Sequence, residues 1–168
     1  MHVGLAIITL LITYWKGDWR NLPKYGLTIY YMIACNLLYN LFCSDYLLWE
    51  YKPDVLFTSR IVLELIYTFI TLPSVTLLYL THFPYRKKLS KQMLYMLLWI
   101  IVTYVVFLPF INAGALVFHH GYEQWMDLFF YIAMYSMLRL HHTRPFYTYC
   151  FSILIIIFLL WRFNVPFY

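Results

Sequence analysis

The chain is 168 residues long. Hydrophobic residues make up 64% of it and charged residues 11%, and the formal net charge is +5. A water-soluble domain carries roughly 45–50% apolar and about 25% charged residues, so this chain has too few polar groups to cover its own surface in water. The mean hydropathy of +0.69 agrees, and the solvent this composition calls for is a lipid bilayer.

The opening "MHVGLAIITLLITYW" has neither a basic leader nor a small-x-small cleavage site, so a retained segment is expected rather than a removed signal peptide. Its apolar run, about His2 to Tyr14, would reach only ~20 Å as a helix against a hydrocarbon core of ~30 Å. Five further apolar runs follow: about Tyr25 to Cys43, Arg60 to Leu80, Gln92 to Ile111, Glu123 to Leu140 and Phe146 to Phe163. The expected fold is therefore an all-α polytopic bundle of six transmembrane helices in one domain spanning 1–168. The fallback is five helices with a short N-terminal insertion. Pro23, Pro53, Pro84, Pro145 and Pro166 fall at or near expected helix ends, whereas Pro73 and Pro109 should disturb the third and fourth helices.

Charge then orients the bundle. Lys16, Arg20, Lys24, Arg86, Lys87, Lys88, Lys91, Arg139 and Arg144 lie in or beside the first, third and fifth connections. Only Lys52, Arg60 and Arg162 lie at the other end. Excess Lys and Arg marks cytoplasmic loops, so both termini are expected outside. Of the acids, Asp18 alone falls with the nine cations, giving +8. Asp45, Glu50, Asp54, Glu64, Glu123 and Asp127 join the three, giving −3. Acidic residues contribute little to topology, so the outer acidic excess asks for a separate cause. The many aromatics are expected at helix ends, where amphipathic rings favour the headgroup level. Cys35, Cys43 and Cys150 have no metal spacing and read as free, buried thiols.

Two stretches, "WKGDWRNLPK" at 15–24 and "LLWEYKPD" at 47–54, resemble a family of small multi-spanning membrane proteins from spore-forming Gram-positive bacteria that has no assigned activity. The resemblance implies a bacterial plasma membrane and a sporulation context. It carries no catalytic residues.

Four constellations stand out. Arg60 and Glu64 are one helical turn apart at membrane depth, where charges are costly and face a cavity or each other. Asn36 and Asn40 are one turn apart in the second helix, where amides bond neighbouring helices or line a cavity. In "HHGYEQWMD", His120, Glu123 and Asp127 would share a face if the helix began before them, and that set could hold a divalent cation. In "RLHHTRP", Arg139, His141, His142 and Arg144 form a basic knuckle suited to anionic headgroups.

Three readings follow. The first is an outward-facing acidic polar cavity that binds or transports an ion or small solute, lined by Asn36, Asn40, Arg60, Glu64, Glu123 and Asp127. The second is a scaffold or assembly subunit whose partner is a second copy or another membrane protein. The third, ranked last, is a membrane-embedded enzyme acting on lipid headgroups. No organic cofactor is called for, and no nucleic-acid partner is indicated, because the cations sit where topology alone would put them.

Overall fold

The computed structural model describes residues 1–53 and 59–166. Six helices account for most of the chain: α1 (His2–Lys16), α2 (Leu22–Phe42), α3 (Arg60–His82), α4 (Leu89–Asn112), α5 (Met126–Thr143) and α6 (Pro145–Arg162). They run alternately up and down. The α1–α2, α3–α4 and α5–α6 connections therefore gather at one end with nine of the cations, here the basic end. Both chain termini and the other two connections gather at the opposite end.

Three helices, α3, α4 and α6, are long and apolar enough to cross a membrane by length and composition among the described residues. α1 is apolar but has only 15 residues. α2 and α5 have 21 and 18 residues, but tyrosines, asparagines and charged groups dilute their apolar character.

The protein's surface is inverted relative to a soluble protein. Leu97, Leu98, Ile101, Val102 and Val105 of α4 are exposed, as are Ile153, Leu154, Ile157 and Phe158 of α6. Inside lie Thr13, Thr28, Thr68, Thr71, Ser74, Thr76, His141 and Asp127. That is the arrangement lipid selects, since apolar side chains cost nothing against acyl chains and polar ones must find partners within the protein.

α3 stands in the middle, packed by α1, α2 and α5, while α4 and α6 flank α5. α1 therefore packs on α3 rather than along its sequence neighbour α2. Helices α3 and α4 are held apart by large rings. Tyr79, fully buried, meets Tyr95, Trp99 and Tyr135 at centroid distances of 5.7, 5.8 and 4.8 Å. Hydrogen bonds tie the same rings down: Tyr79 donates to the Tyr135 carbonyl at 3.2 Å, and Tyr95 donates to the Tyr79 carbonyl at 3.0 Å. The expectation that aromatics mark helix ends holds for part of them. Trp15, Trp19, Trp125, Trp161, Tyr14 and Tyr147 are exposed near helix ends, whereas Tyr25, Tyr31, Tyr67, Tyr79, Tyr131 and Tyr135 are buried in the core. The cysteines are free, but Cys150 is exposed on α6 rather than buried.

Pro73 is accommodated by a π turn at Tyr67–Thr71 inside α3. A proline ring clashes with the carbonyl four residues earlier, here Phe69, and the wider turn relieves that contact. Tyr67, Thr68 and Thr71 of that turn are buried.

At the basic end, "WKGDWRN" is a capped turn. Gly17 closes α1 through its amide, which donates to the Thr13 carbonyl at 2.8 Å. A Cβ on Gly17 would lie 2.6 Å from that oxygen. The Trp19 indole donates to it as well, at 2.8 Å. Asp18 accepts from Asn21 Nδ2 at 3.1 and 2.9 Å, and its amide donates to Thr81 of α3 at 3.3 Å.

At the opposite end, two short strands absent from the sequence expectation pair antiparallel. They are β1 (Trp49–Tyr51) and β2 (Leu116–Phe118), in register Trp49↔Phe118, Glu50↔Val117 and Tyr51↔Leu116. They come from different connections, and each holds three residues between turns, too short for an alternating pattern to announce it.

Candidate functional site

The β pair lies over a cluster of polar side chains from α1, α2 and α3. Tyr39 of α2 anchors it. The Tyr39 hydroxyl accepts from the amides of Leu48 and Trp49, each at 3.1 Å, and donates to the Trp49 carbonyl at 3.2 Å. Its ring lies parallel to the Trp49 indole, 3.9 Å away. Beneath the lid, Tyr51 stacks on Tyr67 at 4.0 Å, and His2 is wedged edge-on against both rings. His2 Nδ1 and the Tyr67 hydroxyl are 2.9 Å apart.

Next to these rings lie the side chains singled out in the sequence. Asn36 donates to Thr68 Oγ1 at 2.6 Å, and Thr68 donates to the Glu64 carbonyl at 2.6 Å. Asn40 donates to the Asn36 carbonyl at 3.1 Å and to Glu64 Oε2 at 3.4 Å. Asn36, Asn40 and Glu64 therefore do converge, across the α2–α3 interface. The second carboxylate oxygen, Glu64 Oε1, is buried and has no hydrogen-bond partner. Among the described residues no ion pair within 4.0 Å joins Arg60 to Glu64.

The acids of the α4–α5 connection are arranged differently. His120 and Gly121 adopt left-handed backbone (φ 54° and 77°), and α5 begins only at Met126. His120, Glu123 and Asp127 consequently do not share a helical face, which corrects the spacing argument for a metal site there. His120 stacks on Tyr46 at 3.6 Å, Glu123 accepts from the Trp125 indole at 2.8 Å, and Asp127 accepts from Tyr122 at 2.9 Å. Among the described residues no three His, Cys, Asp or Glu side chains are grouped to hold a metal ion. Glu123 is thus apart from Glu64. Asp127 is buried and joins Glu64 in one respect. Burial pushes the Tyr51 phenol well above its ordinary pKa, and Tyr67, Glu64, Tyr131 and Asp127 all push the same way. Both carboxyls are therefore within electrostatic reach of one phenol under the lid. Burial and the adjacent Asp127 likewise raise the Tyr122 phenol.

The outer rim carries a third carboxylate. Glu50 of β1 accepts from Lys52 at 2.6 Å and lies 3.3 Å from His119 Nε2. The hydrogen bond from Lys52 is the main cause that lowers the Glu50 pKa below the ordinary carboxylate value. Asp54, counted with the outer acids, lies outside the described residues.

Sequence reasoning missed His2, Tyr51, Thr68 and Tyr122, whereas Tyr67 continues the sequence-predicted face of Arg60 and Glu64 in α3. Thr68 had a signal, since it lies one turn after Glu64 and donates to its carbonyl. His2 and Tyr51 reach the Tyr67 ring only by packing between elements. The adjoining cavity between α2, α5 and α6, about 160 Å³, is lined almost wholly by apolar side chains such as Met32, Phe130, Met134 and Ile156, with Asn36 at its edge. A scan against family models and searches of curated proteins and of solved structures find no match to this chain.

Proposed function

We propose that the protein is a multi-pass membrane protein with all six helices spanning, the basic end in the cytoplasm and the lidded end outside, and that the Glu64 cluster binds a small cation or a proton. The observation that carries this reading is Glu64 Oε1, a buried carboxylate oxygen left without a donor while its partner oxygen receives one long bond from Asn40. A carboxylate in a low-dielectric interior is costly unless its oxygens are matched. The surrounding side chains offer amide and hydroxyl oxygens, which suit a hard cation such as Ca²⁺ or Mg²⁺ better than zinc. The charge asymmetry of the two ends supports the orientation. Cysteines placed singly at Lys52 and Lys88, in a background without native thiols, should label from opposite faces.

Thermal unfolding of the purified protein in detergent, with and without each divalent ion and across pH 5–8, tests the site. A bound ion stabilises by about 2.7 kcal/mol at a hundredfold excess over its dissociation constant. Glu64→Gln should abolish that gain, whereas Asp127→Asn, whose carboxylate already has Tyr122, should retain most of it. A wild-type midpoint indifferent to ions and to pH would reject the reading.

The second reading is the scaffold subunit. It is favoured by how many polar side chains at this end are satisfied within the chain: Asn36 by Thr68, Asp127 by Tyr122, Glu123 by Trp125. The bacterial membrane and sporulation context implied by the two resembling stretches belong to either reading.

A further inference from the structure

The basic end holds a crevice of about 500 Å³ whose lining includes Lys24, Phe83, Tyr85, Arg86, Lys87 and His142. Three separate segments build it: the start of α2, the α3–α4 connection and the end of α5. Its charged lining is wholly cationic, and no carboxylate lines it. Arg139 lies against it, with its guanidinium 5.0 Å from the ring centres of both Phe83 and Tyr85. His142 is stacked on Tyr25 at 5.5 Å and tilted over Tyr85 at 5.4 Å, which fixes its ring between the two segments. Gln92 shapes the loop from behind by donating to the carbonyls of Tyr85 and Lys87.

Two further facts distinguish this crevice from cations placed by topology alone. The Tyr85 hydroxyl and Arg139 Nε are both buried and both lack a hydrogen-bond partner. Buried donors are matched almost without exception in folded proteins. Here two unmatched ones lie together, beside cations that have no ion pair among the described residues. Burial also holds the Tyr85 phenol protonated, despite the opposing influence of Arg139, so it is available as a donor at any physiological pH. A group that satisfies all of these at once must offer several acceptor oxygens and negative charge, and must reach the level where the apolar surface of the bundle stops.

We infer that this crevice binds a phosphate group, with Tyr85 at its floor, Arg139 packed behind Tyr85, and Lys24, Arg86, Lys87 and His142 around it. A lipid phosphomonoester and a soluble phosphate compound present the same chemistry, and the test separates them. Each probe is titrated into the detergent-purified protein and the unfolding midpoint recorded: dioleoyl phosphatidic acid, dioleoyl phosphatidylcholine and inorganic diphosphate. Phosphatidic acid should stabilise well above phosphatidylcholine. Stabilisation by phosphatidic acid alone assigns a lipid headgroup, and stabilisation by diphosphate assigns a soluble ligand. Tyr85→Phe removes a hydroxyl with no partner in the fold, so it should leave the ligand-free midpoint unchanged and weaken binding several-fold. Lys87→Gln should weaken it about tenfold, while Lys91→Gln, an equal loss of charge outside the crevice, should not. No stabilisation by any probe, or equal losses for Lys87→Gln and Lys91→Gln with none for Tyr85→Phe, would overturn the inference.

Discussion

The two ends of the bundle solve opposite problems. At the lidded end the polar groups are mixed, and the fold matches most of them internally: amide to hydroxyl at Asn36 and Thr68, phenol to carboxylate at Tyr122 and Asp127, ammonium to carboxylate at Lys52 and Glu50. At the basic end nine cations face one carboxylate, Asp18, which is taken up by Asn21 and Tyr25, so the cations have too few anions to satisfy them. Lys24, Arg86 and Lys87 are left around the crevice, with the Tyr85 hydroxyl and Arg139 Nε unmatched behind them. Balanced charge lets an end of the bundle close on itself, whereas a large excess of one sign keeps an end open to something else. Positive-inside bias by itself explains where the cations are, but not why a buried, unmatched phenol accompanies them.

Three measurements would break or sharpen this contrast. The largest effect is expected from Tyr39→Phe. It strips the lid of the oxygen that accepts from two amides and donates to a carbonyl, leaving buried donors unmatched. A loss of about 3 kcal/mol is expected. Hydrogen exchange should rise across 46–52 and 115–122 while 17–21 stays protected. Exchange rising equally at both ends would show that the ends are one cooperative unit.

Gly17→Ala attacks the other end. Its new Cβ would sit 2.6 Å from the Thr13 carbonyl oxygen, so the turn that joins α1 to Thr81 of α3 must shift. About 2 kcal/mol of destabilisation is expected from such overpacking. It should be read as a lowered unfolding midpoint, with quenching or release of the Trp19 fluorescence that reports the indole bond. An unchanged midpoint would mean that the turn is a passive linker.

The smallest effect concerns acid. The Glu50 pKa is lower in the folded protein than in the unfolded chain, mainly through the bond from Lys52. Its contribution is therefore full above the ordinary carboxylate pKa and is lost as pH falls through the lowered value. The pair is at the rim and partly solvated, so about 0.5 kcal/mol is at stake. Glu50→Gln should flatten the stability profile below about pH 4.5, near the ordinary carboxylate value. A profile identical to wild type would show that the rim pair contributes nothing.

The sequence alone determined the membrane-like apolar character, the number of helices and their approximate limits. Those properties are written in composition and in runs of apolar residues, which need no knowledge of neighbours. It also determined the separation of charge between the ends, because alternating connections follow from counting helices. It placed Asn36, Asn40 and Glu64 near one another in depth, since helical rise is regular. Tertiary structure decided which helices touch, and this could not be read along the chain because outward-facing and helix-facing apolar residues look alike. It decided that a π turn, with Tyr67 and Thr68 buried in it, precedes Pro73. It decided that α5 starts at Met126, because His120 and Gly121 take left-handed backbone, and so separated His120, Glu123 and Asp127. It also paired two three-residue strands from distant connections, and brought Tyr85 and Arg139, 54 positions apart in the numbering, to one crevice. Contacts of that kind depend on side chains meeting across elements, and no local pattern in the sequence encodes them.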